Sequence, residues 1–203
     1  MDQAKIKRHL QALAQMDPDV KTGLQLVRYP APRIRAQGFE TLLSTIVSQQ
    51  ISTAAAAAIL LRLRALLPGM EADAVLQLPA GALRAAGLSA RKVEYVEGLA
   101  RAMLDNQFDP TRFTEMEDQA VIESITSLKG FGRWSAEIYL MFSLQRSDIF
   151  PAGDLALRIA LRKLKGLDEP LNEKQARAVV ASWAPYRSAG SLFLWHYYRG
   201  APA

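Results

Sequence analysis

The sequence predicts an all-α protein, and three observations carry that prediction. Apolar residues recur at helical spacing through most of the chain, no stretch alternates convincingly with period two, and the periodic runs are punctuated by cap and breaker residues such as Asp17-Pro18, Pro68-Gly69 and Gly87. Ile6, Leu10 and Leu13 give one face of a first helix over about 2–15, and Asp17-Pro18 starts a second that runs through Leu26. Tyr29-Pro30-Ala31-Pro32 is an extended link, because each proline disfavours helix in the residue before it. A helix from about Phe39 to Gln50 places Leu42, Leu43, Ile46 and Val47 on its apolar side. After Ser52, five alanines lead into Ile59-Leu60-Leu61, a strong helix former ending at Pro68-Gly69; the alanines are expected to permit close helix–helix packing.

Two short helices follow over 71–86, separated by Pro79, and Gly87 is placed to end the second. Ser89 caps a helix over 90–107 whose stripe is Val93, Val96, Leu99 and Ala100. The helical pattern returns over 113–127 and 133–143, then, after an irregular segment, over 155–164, 173–182 and 187–198, the last two closing around Trp183, Trp195 and Tyr197. No repeat of fixed period appears.

A chain of 203 residues has length for one domain, or for two small lobes sharing a cleft. Lys and Arg number 25 against 20 Asp and Glu, and the net charge of +5 suits a polyanionic partner. There is no cysteine, which excludes disulfides, thiolate zinc sites and an iron–sulfur cluster. Two histidines, His9 and His196, are too few for a metal site of the usual N/S type, and no phosphate-loop or dinucleotide fingerprint is present. The chain shows no N-terminal hydrophobic signal and no membrane-length apolar run, so a cytoplasmic protein is expected, nucleoid-associated if bacterial.

The stretch Leu128 to Leu157 holds most of the chemistry. Gly130-Phe131-Gly132 lies between two apolar helical runs, and glycine at both ends permits a tight turn with positive φ. Backbone N–H groups at the start of the next helix can then meet an anion closely, with Lys129 and Arg133 adding positive charge. The stretch L-K-G-F-G-R-W-S-A, followed by F-P-A-G-D at 150–154, resembles the core of the helix-hairpin-helix DNA glycosylases, and most closely their 3-methyladenine DNA glycosylase II (AlkA-type) branch. Three further blocks are similar to the same branch: Ile46 to Ser52 (I-V-S-Q-Q-I-S), Gly87-Leu88-Ser89-x-x-Lys92, and Pro185-Tyr186-Arg187-Ser188 through Trp195. The β-rich N-terminal lobe of some members has no counterpart.

The resemblance implies a two-lobed helical bundle with an active-site cleft between lobes, about 35–145 forming the central lobe and 1–34 plus 146–203 the terminal one. It implies a monomer that acts on double-stranded DNA containing damaged bases, flips the base out, and hydrolyses its N-glycosidic bond. Asp154 takes the catalytic position: a fixed carboxylate stabilises the positive charge that builds on the sugar. The same residue before Leu155 also reads as a helix N-cap. Trp134 stands where bifunctional relatives carry a Schiff-base lysine, so strand cleavage is not expected; its other reading is a core aromatic packing the hairpin. Trp134 and Trp195 would line the base pocket, and their faces would attract the cationic bases made by purine alkylation by ~0.5–2 kcal/mol. A tyrosine found in a relative four residues after the hairpin tryptophan is Ile138 here.

Leu88, Ser89 and Ala90 lie where the family's wedge enters the duplex, and a wedge must be apolar and exposed. Leu88 reads equally as a hydrophobe of a capping motif. Gln49 and Gln50 are placed to hydrogen-bond across the opened duplex, and Arg91, Lys92 and Arg187 to contact phosphates, each against the plainer reading of a solvated surface residue. No catalytic cofactor is implied. A structural Na+ or K+ at the hairpin would be held by the backbone carbonyls of Thr126, Leu128 and Phe131. Two other functions stand beside this one: a glycosylase for neutral lesions such as hypoxanthine or uracil, and a non-catalytic DNA-binding module.

Overall fold

The computed structural model describes residues 1–200, and among them every regular element is helical. The chain forms two compact units, one continuous (Arg35–Ala136) and one discontinuous (Met1–Ile34 with Glu137–Ala203). The division falls between Ala136 and Glu137, inside a helix, rather than at about residue 145. No helix among the described residues is long and apolar enough to cross a membrane.

The discontinuous unit contains α1 (Gln3–Met16), α2 (Pro18–Val27), the latter part of α9 (Arg133–Phe142), α10 (Leu155–Leu164), α11 (Glu173–Val179) and α12 (Arg187–Gly200). Helix α12 is its axis and packs against α1, α2 and α10, with nine residues from Ser188 to Tyr197 buried. Trp183 is fully buried beside it. A Cβ on Gly190 would lie 2.5 Å from the Trp183 ring, so only glycine lets this helix and indole approach so closely.

The continuous unit contains α3 (Phe39–Ser48), α4 (Thr53–Leu66), α5 (Ala72–Leu76), α6 (Ala82–Ala85), α7 (Ala90–Leu104), α8 (Asp118–Thr126) and the first turn of α9. Helix α7 packs against α3, α5 and α6 over Val96, Leu99 and Ala100. Phe108 and Phe113 meet edge to face at 5.3 Å behind it.

Four expectations need correction. Helix α7 stops at Leu104 rather than 107, because Asn106 takes φ +54° and the Gln107 N–H turns back to the Ala102 carbonyl. The 113–127 run is two pieces: a 3-10 turn over Pro110–Thr114, capped by Asp109, then α8 from Asp118. The 173–182 run ends as a helix at Val179, with a separate 3-10 turn over Ala181–Trp183. The alanine run is not a packing seam. Of Ala54–Ala58 only Ala56 is buried, and Leu63 is the other buried residue of α4.

Candidate nucleic-acid interface and acid site

The hairpin in the continuous unit is a turn closed by the Phe131 N–H donating to the Leu128 carbonyl at 3.2 Å. Gly130 occupies its third position with φ +92°, where a side chain is strongly disfavoured. Its Cβ would also lie 2.3 Å from the Tyr95 ring. Gly132 differs: its φ is not positive and a Cβ there would meet nothing within 4 Å, which corrects the expectation that both glycines serve the turn. Phe131 anchors the hairpin inward at 7 % exposure, while Gly132, Arg133 and Trp134 are exposed in succession as α9 begins. At 41 % exposure, Trp134 is not the core aromatic of the plainer reading.

Three of the motif blocks converge on this hairpin. Gln49 Nε2 donates to the Gly130 carbonyl at 2.7 Å, and Lys92 Nζ donates to the carbonyls of Val47 and Gln49 at 2.7 and 2.8 Å. Lys92 satisfies the C-terminal end of α3, where the last carbonyls lack helical donors. Gln49 ties α3 to the hairpin. The same tie explains why α3 ends at Ser48: Gln49 is extended and Gln50 is left-handed at φ +57°. Burial of the Lys92 ammonium lowers its pKa from the ordinary value.

Gln50 and Ile51 stay exposed at this turn, as do Ser89, Ala90 and Arg91 at the start of α7. Leu88 does not. It is 2 % exposed, its N–H donates to the Leu83 carbonyl, and the Gly87 N–H donates to the Arg84 carbonyl with Gly87 at φ +107°. That is a Schellman cap with Leu88 as its buried hydrophobe, so Leu88 cannot be the wedge. Lys129 pairs with Glu94 at 3.0 Å, both well exposed, a pairing that water largely screens. Thr126, whose hydroxyl donates to the Ile122 carbonyl at 2.7 Å, ends α8 immediately before the hairpin.

In the discontinuous unit, Asp154 caps α10 by accepting from the Leu157 N–H at 3.1 Å, and its carboxylate is half-buried. The segment leading to it is clamped from α11 and α12. Arg177 donates to the Phe150 carbonyl at 2.9 Å and to Glu137, buried on α9, at 2.7 Å. Ser188 accepts from the Ile149 N–H at 2.9 Å and donates to the Arg146 carbonyl at 2.7 Å. Arg187 makes a two-point pair with Asp148, both bonds 2.7 Å, which lowers the Asp148 pKa and raises that of Arg187. Arg187 is therefore a loop clamp. Trp195 is 9 % exposed in the same unit, with the Phe142 ring centroid 5.8 Å from its own. Ile138, at the position of the relatives' tyrosine, is buried, as is the adjacent Tyr139.

Sequence reasoning missed Glu137, Asp148 and Arg177, and Tyr95 beneath Gly130. Asp148 lies 39 residues from Arg187 and Glu137 lies 40 from Arg177, so no local spacing announces either pair.

A helical protein in which a tight glycine turn joins two helices and leaves the start of the second exposed has a helix-hairpin-helix motif. The chain belongs to the HhH-GPD superfamily of base excision DNA repair proteins, whose family profile matches residues 43–185. It is 30 % identical over 165 residues to DNA-3-methyladenine glycosylase 1 of Schizosaccharomyces pombe, covering 79 % of this chain and 72 % of that one. The solved 3-methyladenine DNA glycosylase of S. pombe in complex with abasic DNA superposes with a TM-score of 0.82 at 29 % identity, over 94 % of this chain and 95 % of the other. A DNA-3-methyladenine glycosidase from Bacillus halodurans gives a TM-score of 0.81 at 32 % identity, over 92 % and 87 %.

Proposed function

We propose that this protein is a DNA base-excision glycosylase that flips alkylated purines of the 3-methyladenine and 7-methylguanine type out of duplex DNA and hydrolyses their N-glycosidic bonds. The observation that carries this reading is the half-buried Asp154 carboxylate, fixed at the N-terminus of α10 and clamped through Asp148, Phe150 and Ile149, in a chain whose relatives bear the name DNA-3-methyladenine glycosylase.

The chemistry follows from charge. Alkylation at a ring nitrogen makes the purine cationic and weakens the bond to the sugar. As that bond lengthens, positive charge moves onto the sugar, and the ionised Asp154 stabilises it while orienting the attacking water. A cationic leaving group needs little help from a general acid. The aromatic face of Trp195 attracts the cationic extruded base. Trp134 has no amine, so no Schiff base forms and the strand stays intact.

The exposed Gly132-Arg133 start of α9 grips a phosphate: a helix N-terminus attracts an anion, and Gly132 puts no side chain in its way. Gln50, Ser89, Ala90 and Arg91 face the duplex around the gap left by the flipped nucleotide. The Thr126, Leu128 and Phe131 carbonyls would hold a Na+ or K+; the Leu128 oxygen accepts one hydrogen bond in the turn and has a second lone pair for such an ion. Such a cation would supply positive charge at the hairpin for the phosphate.

The test is release of methylated purines from duplex DNA by wild type and by Asp154→Asn, with nicks scored before and after alkali. Release by wild type, its loss in the variant and nicks only after alkali are expected. Release of hypoxanthine or uracil without release of methylated purines would transfer the activity to neutral lesions, and binding without any release would leave a DNA-binding module.

A further inference from the structure

The face of Trp195 is already occupied. The Arg33 guanidinium carbon lies 5.8 Å from the Trp195 ring centroid, within the same unit, and Phe142 is the ring's aromatic neighbour at the same centroid distance. Arg33 is exposed and belongs to no helix: it follows Tyr29-Pro30-Ala31-Pro32 in the non-helical link between α2 and α3. Nothing in the helical pattern calls for an arginine at this point.

We propose that Arg33 is a resident cation on Trp195 that an extruded base must displace, and that it sets the selection between cationic and neutral lesions; this rests on the reading of Trp195 as a base-holding ring. The distance decides between sharing and exclusion. A base stacked on the indole needs ~3.5–4 Å, and a guanidinium stacked above that base needs as much again, so a shared stack would put the guanidinium ~7–8 Å from the ring. At 5.8 Å the arginine leaves no room for a base beneath it on the face it covers. The two occupants use the same attraction, since a guanidinium and an alkylated purine are both planar cations drawn to the indole π-face. A cationic base also meets like-charge repulsion as it arrives, which a neutral base does not. Arg33 therefore holds back weakly bound cations and admits those delivered with the binding energy of a whole damaged duplex.

The test is a tryptophan-fluorescence titration of the full chain with a permanently cationic planar base, 3,9-dimethyladeninium, and with neutral adenine, for wild type, Arg33→Ala and Arg33→Lys. Arg33 is exposed and outside any helix, so the variants should fold, and thermal melting checks this. Arg33→Ala is expected to bind both probes more tightly, because each must displace the arginine, and the cationic base by the larger factor, roughly 5- to 20-fold, because it also escapes like-charge repulsion. Arg33→Lys, which keeps a cation, should stay near wild type. Unchanged or weaker binding of the cation by Arg33→Ala overturns the proposal, and so does failure of every form to bind either probe, because Trp195 then holds no base. Release of methylated purines by wild type, assayed alongside, judges the glycosylase reading separately: absent release with the expected titration removes the activity but leaves the Arg33–Trp195 exclusion standing.

Discussion

Asp17 and Asp154 are the same local feature in two environments. Each precedes a helix of the discontinuous unit and accepts from N–H groups of that helix's first turn. Asp17 is 6 % exposed. Both of its carboxylate oxygens accept from Lys165 Nζ, at 2.7 and 2.6 Å, and Trp183 Nε1 donates to it at 2.7 Å. Asp154 is half-buried, and Arg177 and Ser188 hold the backbone of the segment before it. The capping signal is equally good at both positions, so it cannot say which acid is built into the core and which is presented for chemistry. Enclosure by partners distant in the chain makes the difference.

The largest expected effect tests Asp154. Asparagine caps a helix about as well as aspartate, so Asp154→Asn should leave the melting temperature nearly unchanged. Base release should nevertheless fall by about 10²–10³-fold, as when a fixed group facing transition-state charge is removed. A variant that keeps its activity would reduce Asp154 to a cap.

Asp17→Asn should do the opposite, costing about 3 kcal/mol in denaturant unfolding because Lys165 loses its principal buried partner, with little change in activity per folded molecule. The pH dependence follows. Burial opposes the ionised Asp17, but the hydrogen bonds from Lys165 and Trp183, the Lys165 charge and the Val20 N–H outweigh it and hold the pKa below the ordinary value. A depressed carboxylate gives stability that is full above its unfolded pKa and is lost as pH falls through the folded one. Wild type should therefore lose stability more steeply than Asp17→Asn as pH drops below the usual carboxylate range.

The two hairpin glycines extend the comparison to the continuous unit. Gly130→Ala should cost about 2 kcal/mol or more, because it combines a left-handed backbone with a clash against Tyr95. Gly132→Ala should cost under about 0.5 kcal/mol of stability yet weaken binding to abasic duplex DNA, measured by fluorescence anisotropy. Equal stability losses would mean that both glycines serve the turn.

Smaller effects separate the basic residues. Lys92→Met leaves the Val47 and Gln49 carbonyls without their donor and should cost about 1–2 kcal/mol of stability. Arg91→Ala should leave stability unchanged, weaken DNA binding a few-fold at low salt, and flatten the slope of log K against log salt by about 0.9.

Helix content, the hairpin and the acid were legible in the sequence because they are local. Helical periodicity needs only spacing, Gly130 is demanded by its own φ, and Asp154 stands one residue before the helix it caps. The loop-holding roles of Gln49, Lys92 and Arg187 are not legible in the sequence, because their partners lie elsewhere in the chain. Leu88 reads as wedge or cap from sequence, since an apolar residue after a capping glycine suits both until burial is known. The alanine run misled because small residues permit close packing without compelling it.

The sequence by itself therefore determined an all-α chain, most of its helices, and the family its motifs belong to. Only the tertiary structure decided which charged and amide side chains are spent on holding loops and which stay at the surface, and that an arginine lies on the Trp195 ring. The physical reason is one of range: backbone preferences act over a few residues, whereas a hydrogen bond or a stacked cation is fixed by whichever groups folding brings within a few ångströms.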